Sequence, residues 1–177
     1  KAVPGILNDL QDPALFIDDD DKAYLYWGSS NKWPIRAKSL DKNLRFKPSA
    51  KTDTLFYLEM DKHGWERFGE NHMDTVLGGY MEGPWMTKHN NKYYLQYAAP
   101  GTEFNVYGDG AYTSNSPLGP FVYMPNNPFS YKPGGYMNGA ALWPVSFLYL
   151  YSSCFAMILS EDSAVCVQRT LIIISTP

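Results

Sequence analysis

The chain has 177 residues, enough for one domain of ordinary size with a core of its own. Its formal net charge of −3 and pI near 5.5 argue against a phosphate-backbone partner, so no nucleic acid is expected. Aromatic residues reach 16%, with 14 Tyr and 5 Trp, a surplus that suits a β-rich core or a surface that stacks on flat ligand faces. In chain order, ALFI (14–17) runs into the acidic cluster Asp18 to Asp21, and KAYLYW (22–27) then resumes with strand weighting. PWMTKH (84–89) meets Asn90-Asn91, and KYYLQYA (92–98) follows in the same way. Gly108-Asp109-Gly110 and Pro125-Asn126-Asn127 read as further turns. No stretch from 1 to 140 sustains a 3.6-residue apolar period for three turns, so this part is expected to be all-β.

The two hairpins repeat. Lys22-Ala23-Tyr24-Leu25-Tyr26 matches Lys92-Tyr93-Tyr94-Leu95-Gln96 at an offset of 70 residues, 22 against 92. At the same offset the turn residue Asp21 meets Asn91, both tolerant of left-handed backbone, and Asp12 meets Glu82. Each acid precedes its strand beside a proline, in Asp12-Pro13 and in Glu82-Gly83-Pro84. A period this long, with several strands per unit, is what β-propeller blades produce, and acids heading the innermost strands would converge on one pocket. Two unrelated hairpins with chance acids are the alternative.

Two converging carboxylates in aromatic company suit glycoside hydrolysis. One must be held protonated to deliver a proton to the leaving oxygen, which calls for burial and a neighbouring negative charge. Glu82, among Tyr80, Met81 and Trp85, has that company, and Gly83-Pro84 supplies a fixed bend behind it. The competing reading is a strand-start Glu bonded to a nearby backbone amide.

The stretches LQDPALFIDDDDKAYLYWGSS and GGYMEGPWMTKHNNKYYLQYAAPGTEFNVYGDGAYTSNSPLGPF together resemble glycoside hydrolase family 43, over about Asn8 to Ala140. The resemblance implies a five-bladed β-propeller that removes arabinosyl, xylosyl or galactosyl units from plant cell-wall side chains with inversion. It implies Glu82 as general acid and Asp12 as the aspartate that tunes and orients it. The family's general base is a further aspartate near the start of the first blade, held roughly 6.5–9.5 Å from the acid to admit a water. Only eleven residues precede Asp12, Asp9 is too close to belong to another blade, and the spacing from Asp12 to Glu82 spans one blade step rather than two. The general base is therefore expected outside this chain. Residues 1–140 are expected to hold about two of five four-stranded blades, the second and third.

Trp85, Trp33, Trp27 and Phe104 are the candidate sugar-binding residues. Aromatic faces pack against the apolar face of a sugar ring, Trp33 sits in a loop-like stretch, and Phe104 follows a Pro-Gly break. An oligo- or polysaccharide is the expected partner, and secretion or a periplasmic location follows from the resemblance. The chain begins at Lys1 without a secretory leader and so reads as a mature form or an internal fragment. A structural calcium is common in the family, but no ligand set for one is visible. Asp18 to Asp21 lacks the Gly and distal Glu of a calcium loop and reads as a solvated hairpin turn. His63, His72 and His89 share no metal-ligand spacing and read as structural. No cofactor or metal is expected.

After SYKPGGYMNGA (130–140) the family usually continues with a Gly-His-Gly turn, whereas this chain reads ALWPVSFLYLYSSCFAMILSEDSAVCVQRTLIIISTP. Lysine vanishes, and both cysteines, Cys154 and Cys166, appear; they fit no metal spacing and are too few for a disulfide scaffold. Leu142 to Ser160 carries no charge and by length qualifies as a membrane span, though Pro144 interrupts it. A buried strand pair is a second reading, and a changed reading frame near Ala140 is the one preferred for 141–177. No membrane partner is expected unless the 142–160 run is genuine. Two rivals to the hydrolase stand beside it: a non-catalytic carbohydrate-binding propeller remnant, and a retaining sucrose- or fructan-cleaving propeller.

Overall fold

Successive side chains along a strand point to opposite faces, so one face can be buried even where every residue is apolar. Along Ala14–Ile17 (β1), Ala14 and Phe16 are buried while Leu15 and Ile17 stay partly exposed. The computed structural model describes residues 10–47, 49–104 and 106–131. Within them β1 is followed by Ala23–Trp27 (β2), Ile35–Ser39 (β3) and Asp53–Phe56 (β4), which pair antiparallel in chain order as one four-stranded sheet. A second meander follows: Glu82–His89 (β5), Lys92–Ala99 (β6), Gly108–Ser114 (β7) and Val122–Tyr123 (β8), with Ser130–Tyr131 (β9) also pairing with β7. Helix among the described residues is confined to two short 3₁₀ turns, Gly64–Glu66 and Glu70–His72.

The 70-residue repeat folds into equivalent hairpins, with one difference. Leu15 opposes Leu25 in the first, so a strict repeat would put Trp85 opposite Leu95. Glu82 does pair with Ala98 at the repeat's register, but from Trp85 onward the pairing is one residue out, and Trp85 opposes Gln96. The slip is a bulge at Gly83-Pro84, with Gly83 in the left-handed region at φ 61°. Asp21, Asn90 and Asn91 also take positive φ at the hairpin turns, the conformation their short polar side chains tolerate.

The core lies between the sheets. Phe16, Tyr24, Tyr26 and Ile35 of the first face Met86, Leu95, Tyr97 and Tyr112 of the second. Phe56 of β4 stacks flat on Tyr112 of β7 at 3.9 Å. Met81 and Ser30 exchange backbone hydrogen bonds of 3.0 and 3.1 Å, a single antiparallel bridge that joins the two sheets.

Two expectations from the sequence are corrected. Gly108-Asp109-Gly110 is not a turn but the buried start of β7. Glycine serves close approach there: a Cβ on Gly110 would lie 2.6 Å from Trp65 Cζ2 and 3.0 Å from Tyr97 Cε1. Nor is Asp18 a solvated turn residue. It is buried, with Lys88 Nζ at 2.6 Å and the Tyr93 hydroxyl donating at 2.5 Å, while Asp19, Asp20 and Asp21 remain exposed. Burial pushes the Asp18 carboxyl up, yet the hydrogen bonds from Lys88 and Tyr93 outweigh it and hold the group below its ordinary value of 3.8. The expected frame change near Ala140, the 142–160 run, Cys154 and Cys166 lie outside the described residues. Among the described residues no helix is long and apolar enough to cross a membrane.

Candidate active site

Antiparallel meanders bring the starts of β1, β3, β5 and β7 to the same end as the finishes of β2 and β6. Asp12 enters β1, Ser29 and Ser30 leave β2, Glu82 opens β5 and Tyr107 precedes β7, so all lie at that end. The Ser30–Met81 bridge sets Ser29 beside Glu82. Ser29 Oγ donates to Glu82 Oε2 at 3.2 Å, and the Tyr107 hydroxyl donates to Oε1 at 2.5 Å. Glu82 is half-buried, each of its carboxyl oxygens oriented by a hydroxyl from a different sheet.

Asp12 reaches the same place through the backbone. The Gly83 N–H donates to Asp12 Oδ2 at 3.1 Å, so the residue after Glu82 is tied to Asp12, seventy-one positions before it. Asp12 itself has φ 50°, left-handed backbone in a non-glycine residue just before Pro13. The bulge therefore has a local consequence: it turns the Gly83 amide out of the β5–β6 ladder and toward Asp12.

Beside the acid, a cleft of about 300 Å³ opens between the end of β2, the 28–34 loop and Tyr80. Trp27 and Trp33 line it, together with Ser29, Ser30 and Arg36; Trp85, Phe104, Glu82 and Asp12 are not among its lining residues. Trp27 is almost wholly buried, edge-on to Phe46, whereas Trp33 is 61% exposed. Trp85 sits half-buried on β5, and Phe104 packs edge-on against Phe68. The structure thus gathers Trp27 and Trp33 at the cleft and places Trp85 and Phe104 elsewhere.

Residues 5–140 match the family model of the glycosyl hydrolases family 43. The chain belongs to this family. Relatives include a "Beta-xylosidase" of Xylanibacter ruminicola, 28% identical over 64% of this chain and 39% of its own length. A "Beta-D-galactofuranosidase xynD" of Aspergillus niger is 40% identical over 31% of this chain and 16% of its own. Among solved structures, an endo-1,4-beta-xylanase from Bacteroides thetaiotaomicron superposes with a TM-score of 0.53 at 32% identity, over 66% of this chain and 37% of that one. A thermostable family-43 glycoside hydrolase gives 0.56 at 26%, over 69% and 39%. The chain therefore spans less than two fifths of the length of each. The two described sheets, the second with β9 added beside its four-stranded meander, are blades of the family's β-propeller.

Three features of the structure lay outside the sequence reading. Ser29 and Tyr107, the partners of Glu82, come from loops with no motif of their own. Arg36, on the cleft wall, lies inside a strand. Glu66 is fully buried: it accepts from the Tyr97 hydroxyl and, at 2.7 Å, from the Glu59 N–H, with His63 Nδ1 at 3.1 Å. Burial pushes its carboxyl up, against the hydrogen bonds from Tyr97 and Glu59 and the charge of His63. Among the described residues no group of three or more His, Cys, Asp and Glu side chains is placed to hold a metal ion.

Proposed function

We propose that this chain carries the general-acid half of a family 43 glycosidase site. The protein would hydrolyse arabinosyl, xylosyl or galactosyl linkages of plant cell-wall side chains with inversion. One observation carries the proposal: the Glu82 carboxyl is held at the junction of two blades by Ser29 and Tyr107, with Asp12 bonded to the next amide. In this reading Glu82 donates its proton to the departing glycosidic oxygen, and the hydroxyls fix the direction of that proton. Asp12 holds the Gly83 backbone and hence the placement of the acid. The water-activating base is assigned to no described residue and falls to a carboxylate outside them. The xylosidase, xylanase and galactofuranosidase names of the relatives support the xylosyl and galactosyl part of this range.

The test uses the full-length protein that carries this chain, with aryl arabinofuranosides, xylosides and galactofuranosides as substrates and NMR of the first-formed anomer. Inverted product is expected. Glu82→Gln should cut turnover of natural glycosides by about 10²–10⁴-fold, the usual worth of a positioned acid, while oligosaccharide binding persists. Undiminished turnover in Glu82→Gln, or retained configuration, overturns the assignment. A second reading, a sugar-binding remnant without catalysis, draws on the absence of Glu82 and Asp12 from the cleft lining. Binding without turnover by the full-length protein would favour it.

A further inference from the structure

Ser29 belongs to two places at once. It lines the cleft, and its Oγ donates to Glu82 Oε2 at 3.2 Å. That bond is long for an O–H···O contact, whose usual length is about 2.7–2.8 Å, whereas the Tyr107 hydroxyl lies 2.5 Å from Oε1. Of these two hydroxyl partners, Ser29 is the looser. The cleft walls come from either side of the Ser30–Met81 bridge. Ser29, Asn31 and Trp33 belong to the 28–34 loop, whereas Tyr80 precedes Met81 and donates its N–H to the Pro100 carbonyl at 2.5 Å. Ser30 Oγ accepts the N–H groups of Lys32 and Trp33 at 3.0 and 2.9 Å, which fixes the turn that presents the exposed Trp33 ring. Anything seated between Trp33 and Tyr80 bears on the same loop that carries Ser29.

From this arrangement we infer that the cleft receives the sugar unit on the leaving side of the bond, and that Ser29, a positioning residue, relays its arrival to Glu82. The inference rests on the reading of Glu82 as general acid. Acid and base flank the reacting carbon, and no carboxylate is among the described residues that line the cleft, so the cleft takes a unit next to the reacting one. The acid it adjoins gives its proton to the oxygen that departs with the leaving unit, which sets the cleft on that side. Its volume of about 300 Å³ is at the small end for ligand pockets and suits one ring. Trp33 and Tyr80 meet the apolar face of that ring, and the amides of Gln11 and Asn31 meet its hydroxyls. A ring held there presses the 28–34 loop toward Glu82 and shortens the Ser29 bond, as catalytic hydrogen bonds often tighten only when substrate is bound. The carboxylate left by proton transfer is then met by both hydroxyls.

Kinetics of the full-length protein that carries this chain test it, with arabinofuranosyl, xylosyl and galactofuranosyl units each linked either to dinitrophenol or to xylobiose. Dinitrophenolate departs without a proton and brings no sugar to the cleft, whereas xylobiose needs the one and brings the other. Ser29→Ala should lower kcat on the xylobiose substrates about tenfold, the scale of one hydrogen bond to a charged group, and leave the dinitrophenyl glycosides nearly unchanged. Ser29→Thr, which keeps the hydroxyl, should restore most of the loss. Trp33→Ala should lower kcat as well as raise KM on the xylobiose substrates, and added to Ser29→Ala it should cost no further kcat, because both act through one contact. Equal losses on both substrate types in Ser29→Ala, a Trp33→Ala effect confined to KM, or additive kcat losses overturn the relay and leave Glu82 as the acid. Should Ser29→Ala fail to fold, kcat of Trp33→Ala on the two substrate types decides the matter alone. If the wild type cleaves none of these substrates, or Glu82→Gln keeps its turnover of the xylobiose ones, the acid reading falls and the relay with it.

Discussion

Replacing Lys88 with Met would remove the cation that faces Asp18 at the end of the sheets opposite the site. Lys88 Nζ lies 2.6 Å from Asp18 Oδ1 and 3.0 Å from Asp19 Oδ2; the Lys88 side chain is 19% exposed and that of Asp18 6%. Without Lys88, the buried carboxylate keeps the Tyr93 hydroxyl and the Asp19 N–H and loses its counter-charge. Stranding a buried charge typically costs about 3–5 kcal/mol, and the residual exposure of Lys88 places this pair near the lower end, about 3 kcal/mol. For a chain of this size that is a fall of roughly 6–12 °C in the thermal midpoint at neutral pH. The pH dependence gives a second handle. Asp18 is held below its ordinary value of 3.8, so its contribution is fully present above that value and is lost as the pH drops through the lower folded value. The gap between wild type and Lys88→Met should therefore close in acid. Adding Asp18→Asn to Lys88→Met should recover most of the loss by removing the stranded charge. Melts followed by near-ultraviolet circular dichroism measure all of this. A single-variant loss under about 1 kcal/mol, or a double variant no better than Lys88→Met, would refute the idea that this pair joins the blades.

Other expectations follow from the same packing. Gly110→Ala places a Cβ 2.6 Å from Trp65 and should cost about 1–3 kcal/mol in denaturant unfolding, with a shift in tryptophan emission. The folded Glu66 carboxyl is raised above its ordinary 4.5, so its contribution is whole below that value and lost as the pH rises through the raised one. The wild-type melting midpoint should accordingly decline over that window, and Glu66→Gln should flatten the decline. In the full-length protein, Tyr107→Phe takes one of the two hydroxyls from Glu82; about a tenfold loss, the scale of a hydrogen bond to a charged group, is expected in kcat with KM little changed. A loss confined to KM would place Tyr107 in ground-state sugar binding instead.

The hairpins were legible because strand-weighted runs and left-handed-tolerant turn residues are local signals, and the 70-residue offset made one hairpin evidence for the other. That same offset paired Asp12 with Glu82, and the structure joins them through the Gly83 amide. What the sequence concealed was non-local. Ser29 and Tyr107 act on Glu82 only because a bridge and a strand pairing bring three separate stretches to one end of the sheets. Glycine misled for a related reason: Gly-Asp-Gly marks a turn or a tight approach equally well, and only the Trp65 ring over Gly110 decides between them. Asp18 was read from its acidic neighbours, whereas its environment is set by Lys88, seventy positions away.

The two mutual hydrogen bonds between Ser30 and Met81 make the surroundings of Glu82 conditional. Neither blade alone can present the acid with both of its hydroxyl partners, since Ser29 belongs to one blade, and Glu82 with Tyr107 to the other. The site thus works as a logical conjunction, complete only while the seam is shut. On the proposed reading, a small slide between otherwise folded blades would part Glu82 from Ser29 without melting a strand, so catalytic competence should vanish before any secondary structure does.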